Sequence, residues 1–314
     1  MHKILPLTDE NIELALQELR ADVPVAFPTE TVYGLGGNAY SDGAVRNVFA
    51  YKDRPPNNPL SVFFRDVEHI AEGLHISYSA LAIIEKFLPG AVTVALKRKP
   101  DSKISKLCSA GSDTVGVRIS SNQIVMRLLS MLPFPLTAPS ANRSASFSPT
   151  TAALVSEHMA EVENLMIIDG GQCRVGMEST VIDCSGDVPS LVRLGAVSIE
   201  EIAEKSGVEV DTRNYFENTM IKNYQSKKHV AMNASEAGDR DALLAIGEPF
   251  ENNCSHVLNL SPAGNLNEAA ANFFAMLSAL DKTDAEKICV MPIPNHGVGA
   301  AINNRLMKAA KVAQ

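Results

Sequence analysis

Residues 208–228 carry no long apolar periodicity, and their bulk, "DTRNYFENTMIKNYQSKK", is polar. Such a stretch inside a 314-residue chain reads as a linker, so a separate core is expected on each side of it. The expected division is a unit over residues 1–207, a connecting segment or lid over 208–228, and a second unit over 229–314. At 46% apolar and 20% charged residues the composition is that of a globular chain, and the length suits one large domain or two medium ones.

Ahead of the linker, short apolar runs are interspersed with helical patterns. "TDENIELALQELR" opens on a capping residue and repeats Ile12, Ala15, Leu16 and Leu19 at helical spacing. "VPVAF" reads as a strand, and the pattern is lost after Gly36. "PLSVFF", "AVTVAL", "TVGVRI", "FPLTA", "LMIID", "STVIDC" and "SLVRLG" read as further strands. Helices are expected in "GAVRNVFAYK", "SALAIIEKFL", "SNQIVMRLLSML", "SPTTAALVSEHM" (Pro149 near its first turn) and "SIEEIAEKSG" (ending at Gly207). Strands and helices do not strictly alternate, which predicts a twisted mixed β-sheet with flanking helices, an α/β fold of the α+β type. Beyond the linker, "HVAMN", "DALLAIG", "HVLNLS" and "KICVMPIP" read as strands, with helices in "NLNEAAANFFAMLSALD" and "GAAINNRLMKAAKVA". A small α/β, Rossmann-like domain is expected there.

Composition narrows the function classes. No run of eighteen apolar residues suggests a membrane span, and "MHKILPLTDENIE" turns polar too early for a secretory signal. The net charge of -8, with a pI near 5.4, argues against an extended nucleic-acid footprint and tight nucleic-acid binding. Five cysteines without CxxC spacing suit reduced thiols in a cytoplasmic protein, and scattered histidines without HxxxH or HExxH give no metal site.

Several polar stretches sit at strand ends, where ligands commonly bind in α/β proteins. "PTETVYGLG" holds Thr29, Glu30, Thr31 and Tyr33, which would equally serve as turn residues. "YKDRPPNNPL" holds Lys52 and Arg54; in an extended, proline-held segment both would point one way and suit a polyphosphate, the alternative being a solvated loop. "TVGVRIS" places Thr114, Gly116 and Arg118 on one strand face. A buried Arg118 must meet an anion, either a substrate carboxylate or an internal Asp or Glu. "LTAPSANRSASFSPT" gathers Thr137, Ser140, Asn142, Ser144, Ser146 and Ser148 before a helix start, a natural phosphate cradle. No P-loop, no GxGxxG fingerprint and no Ser/His/Asp set is visible.

Taken in order, "FPTETVYGLG", "KDRPPNNPL", "PGAVTVAL", "TVGVRI", "TAPSAN", "STVID" and "VRLG" resemble the YrdC/Sua family of threonylcarbamoyl-AMP synthases over about residues 10–205. "NLSPAGNLNEAAANFFAMLSALD" and "PIPNHGVGAAINNRL" are similar to the C-terminal domain of the longer Sua-type members. The resemblance implies an enzyme that joins L-threonine, bicarbonate and ATP into L-threonylcarbamoyladenylate, releasing pyrophosphate. A separate tRNA threonylcarbamoyl transferase complex, met transiently, would then modify the adenosine beside the anticodon. ATP is implied as a substrate, with Mg2+ accompanying it and no dedicated protein metal site.

By the same resemblance, Thr31, Phe63, Arg118, Ala138 and Ser179 surround threonine, with Arg118 on its carboxylate. Arg54, Asn58, Thr114, Ser140, Ser148 and Arg193 fall at ATP positions, and Lys52, Arg54, Ser140 and Asn142 line the reaction centre. Two places depart from the family pattern. Phe63 stands where a histidine is usual, and the linker lacks the usual prolines and glycine, leaving Tyr224 as the tyrosine that would reach the nucleotide. Competing readings are a non-catalytic RNA-binding or ribosome-maturation protein on the same fold, and the carbamoyl-transfer role of related domains in hydrogenase maturation. The acidic balance opposes the first, and the absence of CxxC pairs opposes the second.

Overall fold

The structure is a computed structural model that describes residues 2–213, 215 and 224–310. The middle of the expected linker, residues 214 and 216–223, lies outside the described residues, and so does that part of the expected lid.

The first unit contains strands β1 (Lys3–Pro6), β2 (Val25–Phe27), β3 (Gly34–Asn38), β4 (Val62–Phe63), β5 (Leu74–His75), β6 (Val92–Arg98), β7 (Thr114–Arg118), β8 (Leu136–Thr137), β9 (Met166–Asp169), β10 (Thr180–Asp183) and β11 (Ser190–Arg193). Its helices are α1 (Asp9–Arg20), α2 (Asp42–Lys52), α3 (Val67–Gly73), α4 (Tyr78–Phe87), α5 (Gln123–Met131), α6 (Ala152–His158) and α7 (Ile199–Ser206). The strands form one mixed sheet in the order β1-β9-β2-β3-β8-β4-β7-β6-β10-β11, with β5 added beside β6. Parallel pairs such as β6 with β10 sit next to antiparallel ones such as β6 with β7.

Alternation along the strands feeds two cores. Val25, Phe27, Met166 and Ile168 turn to the face covered by α1 and α5, while Ala26 and Ile167 turn to the face covered by α2, α4, α6 and α7. Helix starts follow their capping residues: Thr8, Ser41, Ser77 and Ser198 each accept a backbone N–H of the first turn. Gly207 ends α7 at φ 69°.

The second unit places β12 (His229–Met232), β13 (Ala242–Ala245), β14 (His256–Asn259) and β15 (Lys287–Val290) in a parallel sheet of order β12-β15-β13-β14, with α8 (Leu266–Asp281) and α9 (Val298–Ala310) packed together. Strand and helix alternate only from β14 onward; loops join β12 to β13 and β13 to β14. Among the described residues, no helix is long and apolar enough to cross a membrane.

Some local expectations differ from the structure. "GLGGN" is a buried strand although its periodic signal is lost. Its glycines are imposed by close packing: a Cβ on Gly36 would lie 2.3 Å from the Phe27 ring, and one on Gly37 would lie 2.8 Å from Val48. α6 is capped by Thr151, so Pro149 precedes the helix rather than entering its first turn. "PLSVFF" contributes only a two-residue strand, pinned between β7 and β8.

The two units share a core. Val32, Phe147 and Met177 of the first are buried in one cluster with Phe273, Phe274, Ile302 and Leu306 of the second. Gly176 sets how closely they approach, because its Cβ would meet Ala271 Cα at 2.4 Å and Ala270 O at 2.5 Å, both backbone atoms of α8. Gly171 has a similar left-handed φ, 79° against 68°, but open space around it. Gly171→Ala should therefore cost only the backbone preference, about 1–2 kcal/mol. Gly176→Ala should add the displacement of α8 and cost clearly more in chemical denaturation. Equal losses would mean that the junction yields freely.

Candidate active site

A cavity of about 630 Å³ opens where β6, β7, β10 and β11 meet the loops after β2, α2 and β8. Every residue that the family resemblance assigns to the site lines it: Thr31, Lys52, Arg54, Asn58, Phe63, Thr114, Arg118, Ala138, Ser140, Asn142, Ser148, Ser179, Arg193 and Tyr224. Glu30 and Thr137, also singled out from the sequence, are not among the lining residues.

One wall begins in the turn after Phe27. Thr29 Oγ1 accepts the backbone N–H groups of Thr31 (3.1 Å) and Val32 (3.2 Å), which fixes the turn. Thr31 Oγ1 then lies 2.8 Å from the Thr29 hydroxyl and accepts from Arg118 Nη2 at 3.0 Å. Arg118 also donates to Glu30 Oε1 at 2.7 Å and, from Nε, to Gly90 O at 2.9 Å. Of the two anions the sequence leaves open, Glu30 is therefore the internal partner, buried with Arg118. Nη1 has no hydrogen-bond partner among the described residues, so that end of the guanidinium remains for another acceptor. Phe63 lies under Arg118 with its ring centre 5.1 Å from the guanidinium carbon, a cation–π contact. Burial raises the Glu30 carboxyl, but Arg118 and Ser120 outweigh it and hold the group below its ordinary value.

The second wall carries the cations. Lys52 is the last residue of α2, and Asp53 after it turns left-handed at φ 49°. Lys52 and Arg54 thus reach one cavity across a helix cap, not along the extended segment expected from the sequence. The Lys52 ammonium donates to the carbonyls of Ser140 and Asn142. Burial, then the charge of Arg54, pushes Lys52 well below its ordinary value. Arg54 donates to Asn58 O (3.0 Å), Asn58 Oδ1 (2.8 Å) and Pro59 O (2.7 Å). Burial and nearby Arg193 bring its pKa down to about 10. Arg193 grips Ser179 through its carbonyl (2.9 and 3.1 Å) and hydroxyl (3.0 Å). Among the described residues none of Lys52, Arg54 and Arg193 has a carboxylate within ion-pair distance, so backbone carbonyls solvate charges that stay available to an incoming anion. In the serine-rich loop, Asn142 Oδ1 and Ser144 Oγ are buried without a partner among the described residues.

Sequence reasoning missed a third group. Glu178 accepts from Ser148 (2.6 Å) and from Tyr224 (3.0 Å) on one oxygen, and from Arg305 Nη2 (3.2 Å) and Nε (3.3 Å) on the other. Burial raises this carboxyl, but Arg305, Arg193 and Ser148 more than offset it and leave it depressed. Tyr224 lines the cavity, yet its hydroxyl is spent on Glu178 and its ring is stacked on Phe274 at 5.6 Å with Arg305 at 5.5 Å. Burial pushes its phenol up to about 12. Glu178 was visible beside Ser179 in "MESTVID". Arg305 had a signal too, since it falls within the apolar stripe of Ile302, Leu306 and Ala309.

A family model described as "Telomere recombination" matches residues 17–195, and one described as "Threonylcarbamoyl-AMP synthase, C-terminal domain" matches residues 204–311. The chain belongs to the threonylcarbamoyl-AMP synthase family. A Bacillus subtilis protein named threonylcarbamoyl-AMP synthase is 32% identical, the match covering 98% of this chain and 94% of the relative. One from Pyrococcus abyssi is also 32% identical, over 95% of this chain and 94% of the relative. The crystal structure of P. abyssi Sua5 complexed with L-threonine superimposes with a TM-score of 0.87 at 29% identity, covering 100% of this chain and 98% of the other.

The Glu178–Arg305 pair yields two expectations. Arg305→Ala leaves a buried carboxylate uncompensated and should cost about 3–5 kcal/mol, while the double variant Glu178→Gln/Arg305→Met should recover much of that loss. Because Glu178 is depressed on folding, its contribution is complete above the unfolded value of about 4.3 and is lost as pH falls through the lower folded value. Melting temperatures should then fall more steeply for the wild type than for the double variant between about pH 5 and 2. Parallel curves would remove Glu178 from the acid response.

Proposed function

We propose that this chain makes L-threonylcarbamoyladenylate from L-threonine, bicarbonate and ATP, releasing pyrophosphate, for the threonylcarbamoyl modification of the adenosine beside the anticodon in tRNA. The observation that carries the proposal is the set of cations without carboxylate partners among the described residues, Lys52, Arg54 and Arg193, in one cavity with the free end of Arg118. Such a site suits a polyphosphate and an amino-acid carboxylate together. Membership of the synthase family and the likeness to a threonine-bound Sua5 support the same reading.

In this reading the free end of Arg118 and the Thr31 hydroxyl orient the threonine carboxylate, and Ser179 and Ala138 close the pocket. The threonine amine attacks the bicarbonate carbon, or an activated form of it, and water leaves as the N–C bond forms. A carbamate oxygen then attacks the α-phosphorus, and the bond to the β-phosphate oxygen breaks with the electron pair leaving on pyrophosphate. Lys52, Arg54 and Arg193 stabilise the charge that grows on the phosphate oxygens, and Ser140, Asn142, Ser148, Asn58 and Thr114 position the nucleotide. Magnesium would arrive with ATP. Among the described residues there is no group of His, Cys, Asp and Glu able to hold a metal, and the acidic residues lining the cavity are Glu178 and Asp183. The protein would act in the cytoplasm and hand its product to a tRNA threonylcarbamoyl transferase complex. The catalytic work falls to residues 1–207, with 208–228 as connector and 229–314 as the second unit.

Pyrophosphate release and the adenylate should both require L-threonine and bicarbonate. Serine should be slower by about fivefold or more, since a lost methyl costs about 1 kcal/mol or more in a fitted pocket. Release at the same rate with no amino acid present would sink the proposal. Arg118→Lys should weaken threonine binding strongly and ATP binding little, because lysine cannot hold Glu30, Thr31 and Gly90 and still present a free donor to the carboxylate. Unchanged threonine affinity in calorimetry would confine Arg118 to its pair with Glu30.

A further inference from the structure

The last helix brings to the cavity a cation that the reaction scheme above does not use. Lys308 lines the cavity from α9, in the electrostatic field of Arg193, Glu178 and Arg305. Its ammonium makes no hydrogen bond or ion pair with the described residues. Glu178, the carboxylate in its surroundings, is already taken up by Arg305, Ser148 and Tyr224. The backbone that carries Lys308 is fixed: Ile302, Leu306 and Ala309 are fully buried, and so is Arg305 one turn earlier.

We infer that Lys308 contacts the polyphosphate part of the nucleotide, so that the second unit supplies a substrate-binding residue to the active site of the first. The inference rests on the ATP-dependent reading above. Charge selects this part of the substrate. Adenine and ribose are neutral, Arg118 serves the amino-acid carboxylate and bicarbonate carries a single charge, which leaves the phosphates as the most highly charged anion for an ammonium without a partner among the described residues. Arg193 acts on both Arg54 and Lys308, so the three cations form one electrostatic group to which a chain of phosphates can bind. Burial first, then repulsion from Arg305 and Arg193, brings the Lys308 ammonium down to about 8 against the opposing pull of Glu178. An approaching polyanion relieves that repulsion. This arrangement also gives the second unit a chemical role beyond support.

Calorimetric titration of the full chain with ATP, AMP and inorganic pyrophosphate tests the idea in the wild type, K308A, K308M and K308R. K308A and K308M should weaken ATP and pyrophosphate by about tenfold or more, while AMP and L-threonine change by less than about twofold. K308R should keep most of the affinity, which separates lost charge from lost packing, and melting temperatures check that each variant is folded. The inference is overturned if K308A binds ATP and pyrophosphate as the wild type does. It is also overturned if ATP and AMP weaken by the same factor, since Lys308 would then act on the nucleoside or on the fold. Failure of the wild type to bind either ATP or pyrophosphate would bring down the ATP-dependent reading itself, and this inference with it.

Discussion

Like charges taken out of water repel one another, and the cavity holds Lys52, Arg54, Arg193 and Lys308 within one small volume. The chain tolerates this by turning backbone oxygens toward three of them. Ser140 and Asn142 face Lys52, Asn58 and Pro59 face Arg54, and Ser179 faces Arg193. Carbonyl dipoles solvate a cation without cancelling its charge, whereas a carboxylate would neutralise it. The loops around the cavity are shaped by this requirement, including the proline-rich segment after α2 and the Ser-x-Asn turn after β8.

Glu178 is the exception, and it faces outward to the second unit. Its pair with Arg305 links the edge of β10 to α9, and Ser148 and Tyr224 complete its hydrogen bonds. A buried pair of this kind adds little net stability over an apolar contact but is costly to break. The shared apolar cluster around Phe147, Met177 and Phe273 supplies the adhesion, at about 25 cal/mol for each Å² of apolar surface removed from water. The ion pair supplies the register. Gly176 lets the loop lie against the α8 backbone, and Glu178 then stands where Arg305 can reach it.

Much of this was legible in the sequence. The mixed sheet could be read from strand-like runs and several cavity-lining polar residues from their places at strand ends, whereas Phe63, Ala138 and Tyr224 come only from the family resemblance, and the core shared by the two units has no signal in the sequence. Other features escaped for physical reasons. β3 is built from glycines because Phe27 and Val48 fill the space their side chains would take, so its burial leaves no hydrophobic pattern. Lys52 and Arg54 converge through a left-handed cap, a geometry that spacing alone does not reveal. Phe63, where a histidine is usual in the family pattern, supports the guanidinium of Arg118 with its ring. Arg305 shows locally only as a charge inside an apolar helix stripe, and nothing local reveals that its partner is Glu178, 127 residues earlier.

The separation of 127 residues between Glu178 and Arg305 has a consequence for how the chain matures. Domains tend to form in order as a chain is synthesised, and distant contacts are made last because the loop between them must be closed first. The first unit can fold around its sheet while α9 is still unmade, but Phe147, Met177 and the Glu178 carboxylate then lack their covering. Completion of the site therefore waits for the final helix. A ribosome product cut short before Arg305 would carry most of the residues that line the cavity and still lack the partner of its buried acid.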